Sequence, residues 1–494
     1  MRRLSNFRCG LTESIRKRHG SVLIVVLIIV VLLTLATYRY TNLMLTEHKS
    51  AIQFGTVLQT KAASESGIAT AEAMLAAQRE RGVLPLNLDD NPSAFSAKAV
   101  GGGGYQFTVL ATTPNGTRFG LTDESTRINL NAIAGPSRDD VRTGHSISAL
   151  LELPQMTEKL AARILDDIDT DSDERFKGSE LGARNRPLGS LSDLLQVDGV
   201  TSDLLFDTWA ELFTLHSAES DTDRFAQPRI PLNNPSVKDL HQQLESSDRL
   251  PADGAMFIAA YRMYGAAGSP LGEVDPQGPT IAGMFVPDTS PYSVRAVSDL
   301  IDKTVHVPLP HPSDSKDNDE LACQHDVLES PFRSGGSAAV LDDMFDTLTV
   351  SNSRRMVGRI NINNAKREAV ASVPGINDTM VDAIMAARSQ AGSNRGLGFY
   401  ITGQHLSVKD FRSIEPYVTC CGHVFSATSI GHSQSTPVRL GTTAFIDASS
   451  TTPGIVGWKQ FRPTVQLVGR AKMNSAIDQQ PGNIQRHALV EETK

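Results

Sequence analysis

Uncharged residues run without interruption from 21 to 37, and the segment behind them changes pattern twice before the chain reaches its middle. At about 17 residues the first run sits at the short limit for a bilayer span. Tyr38 and Tyr40 follow where interfacial aromatics belong, and Arg39 can snorkel to the headgroups. From 38 to 81 there is no Pro and only isolated Gly, while Ala62, Ala63, Gly67, Ala69, Ala71, Ala73, Ala76 and Ala77 supply small side chains. One long helix with a face suited to close packing is the expectation. Pro85, Asp89-Asp90-Asn91-Pro92 and the glycines at 101–104 then break the pattern. Residues 105–113 and 117–122 flank Pro114-Asn115-Gly116 and predict a β-hairpin. Further strand-like runs come only at 424–430, 438–446 and 464–468. A sheet whose strands are separated by roughly 300 residues implies a large insertion.

The insertion reads as mainly helical, with a helix at 255–264 and turn-rich connections at 308–319 and Gly335-Gly336. Two stretches echo each other. Arg127-Ile128-Asn129-Leu130-Asn131 precedes Leu153-Pro154-Gln155-Met156, and Arg359-Ile360-Asn361-Ile362-Asn363 precedes Val373-Pro374-Gly375-Ile376. Leu194 to Gly199, ahead of Val200, forms a shorter relative. These resemble helix-hairpin-helix units, in which a tight turn joins two crossed helices.

Charge narrows the function classes. The 494-residue chain is long enough for two or three cores, and 47 basic against 55 acidic residues leave a formal charge of -8. That balance opposes general attraction to nucleic acid, and 151–207 alone holds 13 acidic and 6 basic side chains. A membrane-anchored DNA receptor built on the hairpin units is the rival reading, with Arg359, Lys366, Arg367 and Arg388 near the Pro374-Gly375 turn. Cys9, Cys323, Cys420 and Cys421 are too few for a disulfide framework. Cys323 could pair with one of the adjacent cysteines, or all could stay reduced. No nucleophile elbow or phosphate loop occurs, and His405, His423 and His432 are spaced unlike a zinc site, so the chain reads as a non-enzyme.

One loop carries candidate metal chemistry. Asp169, Asp171, Asp173 and Glu180 fall at positions one, three, five and twelve of an EF-hand-like frame, with Asp166 and Asp167 close enough in sequence to add ligands. The frame departs at position six, where Glu174 replaces the usual Gly, although Gly178 lies nearby.

The amino terminus carries the sharpest signal. Arg2, Arg3, Arg8, Arg16, Lys17 and Arg18, opposed only by Glu13, precede the apolar run and keep that end cytoplasmic. Gly20 stands directly after Arg16-Lys17-Arg18-His19 and directly before Ser21-Val22-Leu23-Ile24-Val25. This resembles the class III signal of type IV prepilins and pseudopilins, which implies cleavage by a prepilin peptidase between Gly20 and Ser21 with the anchor retained. Thr34-Leu35-Ala36 also admits an ordinary signal-peptide cleavage. Val25 occupies the fifth mature position, where most pilins carry Glu, and its absence is typical of the type II secretion protein K family of minor pseudopilins.

With Glu65-Ser66-Gly67, Asp123-Glu124 before Ile128, the acidic loop, the hairpin units and the late Trp458, the chain resembles that family over most of its length. The resemblance implies an α+β fold: a long transmembrane helix packed on a small antiparallel sheet, interrupted by a large all-α domain. The expected organisation is a leader at 1–20, a membrane segment at 21–37, the long helix and first strands at 38–125, the insertion at 126–420 with an elaborated part at 215–350, and return strands with a tail at 421–494. Val22, Leu23, Ile24 and Val25 would contact membrane lipid and the filament. A loop ending in Gly178-Ser179-Glu180 implies calcium, held by Asp167, Asp169, Asp171, Asp173 and Glu180. Other minor pseudopilins, inner-membrane secretion components and the prepilin peptidase are the implied partners, nucleic acid is not, and the folded domain would project from the inner membrane into the periplasm.

Overall fold

The computed structural model describes residues 19–82, 88–101, 104–113, 116–133, 147–209, 211–270, 278–288, 291–308, 325–390 and 396–461. The basic leader ahead of His19, the Pro114-Asn115 tip, Cys323 and the strand expected at 464–468 lie outside them.

A single helix, α1, runs from His19 to Glu80 over 62 residues, about 90 Å at 1.5 Å per residue. Its threonines do not interrupt it because their hydroxyls donate back to carbonyls four residues earlier, as Thr34 does to Val30 and Thr37 to Leu33. From Val22 to Phe54 every residue is exposed. Burial then begins at Thr56 and continues through Thr60, Ala63, Ser64, Gly67, Ile68, Ala71, Leu75 and Arg79. These positions recur every three or four residues, so one stripe of the second half faces a partner.

The partner is an antiparallel sheet with seven strands among the described residues. Its spatial order is Lys98–Val100, Tyr105–Thr113, Val424–Ser433, Arg439–Asp447 and Gly454–Phe461. Gly116–Arg118 returns on Tyr105–Thr113, and Thr122–Asp123 pairs with the start of Val424–Ser433. The predicted hairpin and late strands are therefore neighbours, Thr428 lying opposite Leu110. The last strand among the described residues, Gly454–Phe461, escaped the sequence reading because glycines 454 and 457 interrupt its alternation. Helix and sheet share one core of Ile68, Leu75, Phe107, Val109 and Phe425, among others.

Helix and sheet approach closely because two glycines allow it. A Cβ at Gly431 would overlap the Thr60 carbonyl oxygen, and one at Gly67 would overlap the Ser429 hydroxyl. Ser64 Oγ donates to the Ser429 carbonyl oxygen at 2.9 Å and lies 2.9 Å from Thr442 Oγ1. Of the small residues expected to form the packing face, Ala63, Gly67 and Ala71 are buried in this contact, Ala76 and Ala77 are half-buried, and Ala62, Ala69 and Ala73 point to the exposed side of the helix.

The insertion has a core of its own, with Trp209, Phe257, Tyr264 and Phe411 buried in it. It is not the all-α domain anticipated. Its helices are joined by two-stranded pairings, among them the antiparallel ribbon Thr304–Pro308 with His325–Glu329. The echoed sequences are matching structural units. Ile128–Asn129 pairs in parallel with Phe213–Thr214, and Ile360–Asn361 pairs in parallel with Val418–Thr419. Each pairing closes a loop of chain around a helix-turn-helix. In the first, Leu153–Met156 is the turn leading to the helix Glu158–Ile168. In the second, the turn at 373–376 joins Arg367–Ala371 to Asp378–Gln390. The expected helix in the elaborated part is Gly254–Tyr264, buried on nearly all sides.

Candidate functional site

Three features could carry function: the anchor, the acidic loop and the junction between sheet and insertion. Gly20 and Ser21 lie in the first turn of α1, and Val22, Leu23, Ile24 and Val25 stand exposed on it. Val22–Glu80 is the one helix among the described residues long and apolar enough to cross a membrane. Its apolar half makes no contact with the folded body, so covering those side chains falls to a lipid phase or to other helices.

The acidic loop follows the helix Glu158–Ile168, whose N-terminus is capped by the Thr157 hydroxyl. Asp166, Asp167 and Asp169 are buried, Asp171 is half-buried and Asp173 is exposed. Gly178, at φ 76°, supplies the left-handed turn that Glu174 cannot make at position six. Asn185 gathers the far side, its Nδ2 donating to the Asp171 carbonyl oxygen at 2.7 Å and to Glu180 Oε1 at 2.8 Å. Asp169 Oδ1, Glu180 Oε2 and Asn185 Oδ1 are buried without a hydrogen-bond partner. Burial raises the Glu180 carboxyl, Asn185 offsets part of this, and Asp166, Asp169 and Asp171 add repulsion. Burial likewise raises Asp169 against the opposing pull of Arg175.

Two arginines that sequence reasoning did not single out dominate the cluster. Arg175 Nη1 donates to Asp166 Oδ1 at 2.7 Å and also to Asp169 Oδ2. Arg184 grips Asp167 through Nε and Nη2, while its backbone N–H donates to the same carboxylate at 3.1 Å. Asp167 is thus placed with Arg184 and not among the partnerless oxygens. As the side chains stand, no three carboxylates, imidazoles or thiols among the described residues converge to hold a metal. The donor set around Asp169, Glu180 and Asn185 is all oxygen, which suits a hard cation such as calcium. Asn185 and the arginines were legible only weakly: Asn tolerates positive φ, here 50°, but nothing in the spacing points to it.

Between sheet and insertion lies a cavity of about 670 Å³ lined by Arg79, Glu219, Arg229, Arg359, Cys420 and His423, with other residues. Its ionic groups largely answer one another. Glu219 accepts from Arg229 Nη2 at 2.8 Å and from Arg359 Nη1 at 3.0 Å. Burial would raise the Glu219 carboxyl, but Arg359 and Arg229 outweigh it and hold the group down to about 2. Cys420 and Cys421 are buried free thiols whose pKa burial pushes well up, so they are poor nucleophiles. The cations of the DNA-receptor reading are similarly engaged. Lys366 pairs with Glu211 at 2.8 Å, Arg367 with Asp382 at 2.6 Å, and Arg388 donates to the Ile362 and Ala365 carbonyl oxygens.

No protein-family model and no curated protein matches the chain. Among solved structures it is similar to a chain from the crystal structure of the GspK-GspI-GspJ complex of the enterotoxigenic Escherichia coli type 2 secretion system. Identity is 12%, the TM-score is 0.35, and the match covers 84% of this chain and 100% of that one. The fold itself, a half-exposed helix seated on an antiparallel sheet with an inserted second body, rests on the packing described above.

Proposed function

We propose that this protein is a membrane-anchored minor pseudopilin-like subunit that initiates or caps the pseudopilus of a type II secretion system, an assembly component and not an enzyme. The observation that carries the reading is the division of α1. The run from Val22 to Ala36 is apolar and exposed along its whole length, and the second half of the helix is packed on a sheet through Gly67 and Gly431. Such a helix inserts one end among lipids or sister helices while presenting a folded body at the other. The leader ending at Gly20 supports a cytoplasmic amino terminus, an inner-membrane span and a periplasmic body. Val25, unable to pair with a neighbour's terminal amine as a carboxylate would, suits a subunit at the filament tip. Other minor pseudopilins would cover the exposed helix. The engagement of Lys366, Arg367 and Arg388 by internal partners weighs against the DNA-receptor alternative.

Mass spectrometry of the native amino terminus tests the proposal. A mature chain beginning at Ser21, with the leader retained in Gly20→Ala, is expected. A terminus near Thr37 would overturn it.

Calcium is the second element of the proposal, with Asp169, Asp171 and Glu180 as ligands on this reading and Asp173 at the exposed rim. Thermal melting should rise with calcium more than with magnesium, which demands tighter octahedral geometry. Equal responses from the wild type and from Asp171→Asn with Glu180→Gln would remove calcium from the account.

A further inference from the structure

The acidic loop already contains a cation. Arg175 reaches back from the loop so that its Nη1 bridges Asp166 and Asp169, while its backbone N–H donates to Asp166 Oδ2 at 3.2 Å. Asp166 is 0% and Asp169 4% exposed, so the guanidinium balances carboxylates that water cannot reach.

The match is incomplete on both sides. Arg175 Nε is buried with no acceptor, while Asp169 Oδ1, Glu180 Oε2 and Asn185 Oδ1 are buried with no donor. A guanidinium projects its donors in one fixed plane and cannot turn to meet oxygens arranged around it. One positive charge also faces four carboxylates, Asp166, Asp169, Asp171 and Glu180, which interact with one another. A calcium ion accepts six to eight oxygens in a flexible shell and brings two charges. It would satisfy the oxygens that the guanidinium leaves bare.

We propose that Arg175 is a tethered counter-cation that closes the acidic loop when calcium is absent and must withdraw for calcium to enter, so that it sets the calcium concentration at which the loop responds. This rests on the calcium reading above. The arginine keeps the buried carboxylates from repelling one another before the ion arrives, and the need for its withdrawal multiplies the intrinsic affinity by the fraction of molecules in the open state. The loop is thereby tuned to a higher calcium level than the bare carboxylates would require.

The test is calorimetric titration of calcium chloride into the full chain in detergent micelles, with thermal melting alongside. Arg175→Gln removes the competitor, and we expect its calcium Kd to fall about tenfold or more, with a lower melting temperature in chelator and a larger calcium-induced rise. Arg175→Lys keeps a charge but loses the planar fork. It should fold without calcium and bind calcium with an affinity between those of wild type and Arg175→Gln. Should Arg175→Gln fail to fold in chelator, tighter binding by Arg175→Lys than by wild type carries the proposal. Unchanged or weaker affinity in the variants overturns the role of Arg175 while leaving calcium binding in place. Absence of calcium binding in wild type and variants alike overturns the calcium reading and this inference with it.

Discussion

Asn361 Nδ2 donates to Asp123 Oδ2 at 2.8 Å across 238 positions of sequence. The same carboxylate oxygen accepts from the Gly422 backbone N–H at 2.8 Å, and Oδ1 accepts from Ser125 N–H, also at 2.8 Å. One side chain therefore joins the sheet where the chain leaves it, the second repeat unit of the insertion, and the point where the chain returns. Hydrogen bonds to a charged group contribute about 1.5–3 kcal/mol each. Asp123→Ala is expected to lower the unfolding free energy by about 3 kcal/mol in urea titration. In a double-mutant cycle Asn361→Ala should show coupling of about 1 kcal/mol or more with it. Additive effects would mean that the pair does not hold the junction.

Gly431 lies against the helix backbone at Thr60 and Ser64. Because the obstacle is backbone and not a flexible side chain, even Gly431→Ala forces helix and sheet apart. A loss of about 1–3 kcal/mol is expected, together with faster proteolysis of α1 between Thr56 and Glu80. Gly101→Ala, at a position with no atom near a Cβ, tests a different effect, since its φ of 59° penalises a side chain by conformation alone.

Gln155 occupies the first hairpin turn at φ 61°, whereas Gly199 and Gly375 hold the corresponding turns at φ 105° and 81°. A non-glycine residue there carries left-handed strain of about 1–2 kcal/mol, partly offset in glycine by its greater unfolded-state entropy. Gln155→Gly should thus raise stability by up to about 1 kcal/mol. A loss of stability would show that the Gln side chain makes a contact worth more than the strain.

His423 is buried, and its Nδ1 accepts from the Ser220 backbone N–H at 3.0 Å. Burial, aided by Arg79, pushes the imidazole pKa down from 6.5 to about 3. Above pH 6.5 folded and unfolded chains are both neutral at this group. Between 6.5 and 3 the unfolded chain binds a proton that the folded chain does not, so stability is lost by about 1.4 kcal/mol for each unit that the pH is lowered. Glu219, depressed to about 2, adds a loss of the same sign below its ordinary value of 4.5. Asp342, raised by burial to about 6, opposes it between pH 6 and 3.8, because its proton is held more tightly in the folded state. Replacement of His423 by Asn, which keeps an acceptor near Nδ1, should remove the His423 loss between pH 6.5 and 4.5 while leaving the Glu219 loss below that range. An unchanged profile would exclude His423 as its source.

Local pattern determined a good deal. An uncharged run followed by a Pro-free, small-residue segment is enough to specify α1, since helix formation depends on near neighbours and a narrow helix face on side-chain size. Alternation gave Tyr105–Thr113, Val424–Ser433 and Arg439–Asp447 within a few residues, and the echo of Ile128-Asn129 in Ile360-Asn361 marked the two units of the insertion. Only the tertiary structure decided what joins them. Asp123 meets Asn361, Arg79 donates to Thr222 Oγ1 and to the Ser449 carbonyl oxygen, and Arg175 rather than a fifth carboxylate stands inside the acidic loop. Those partners lie up to hundreds of positions apart or point inward by a rotamer choice that no spacing rule encodes. Sequence period reports which face a residue is on, while the identity of the charge across from it depends on how separately folded segments come together.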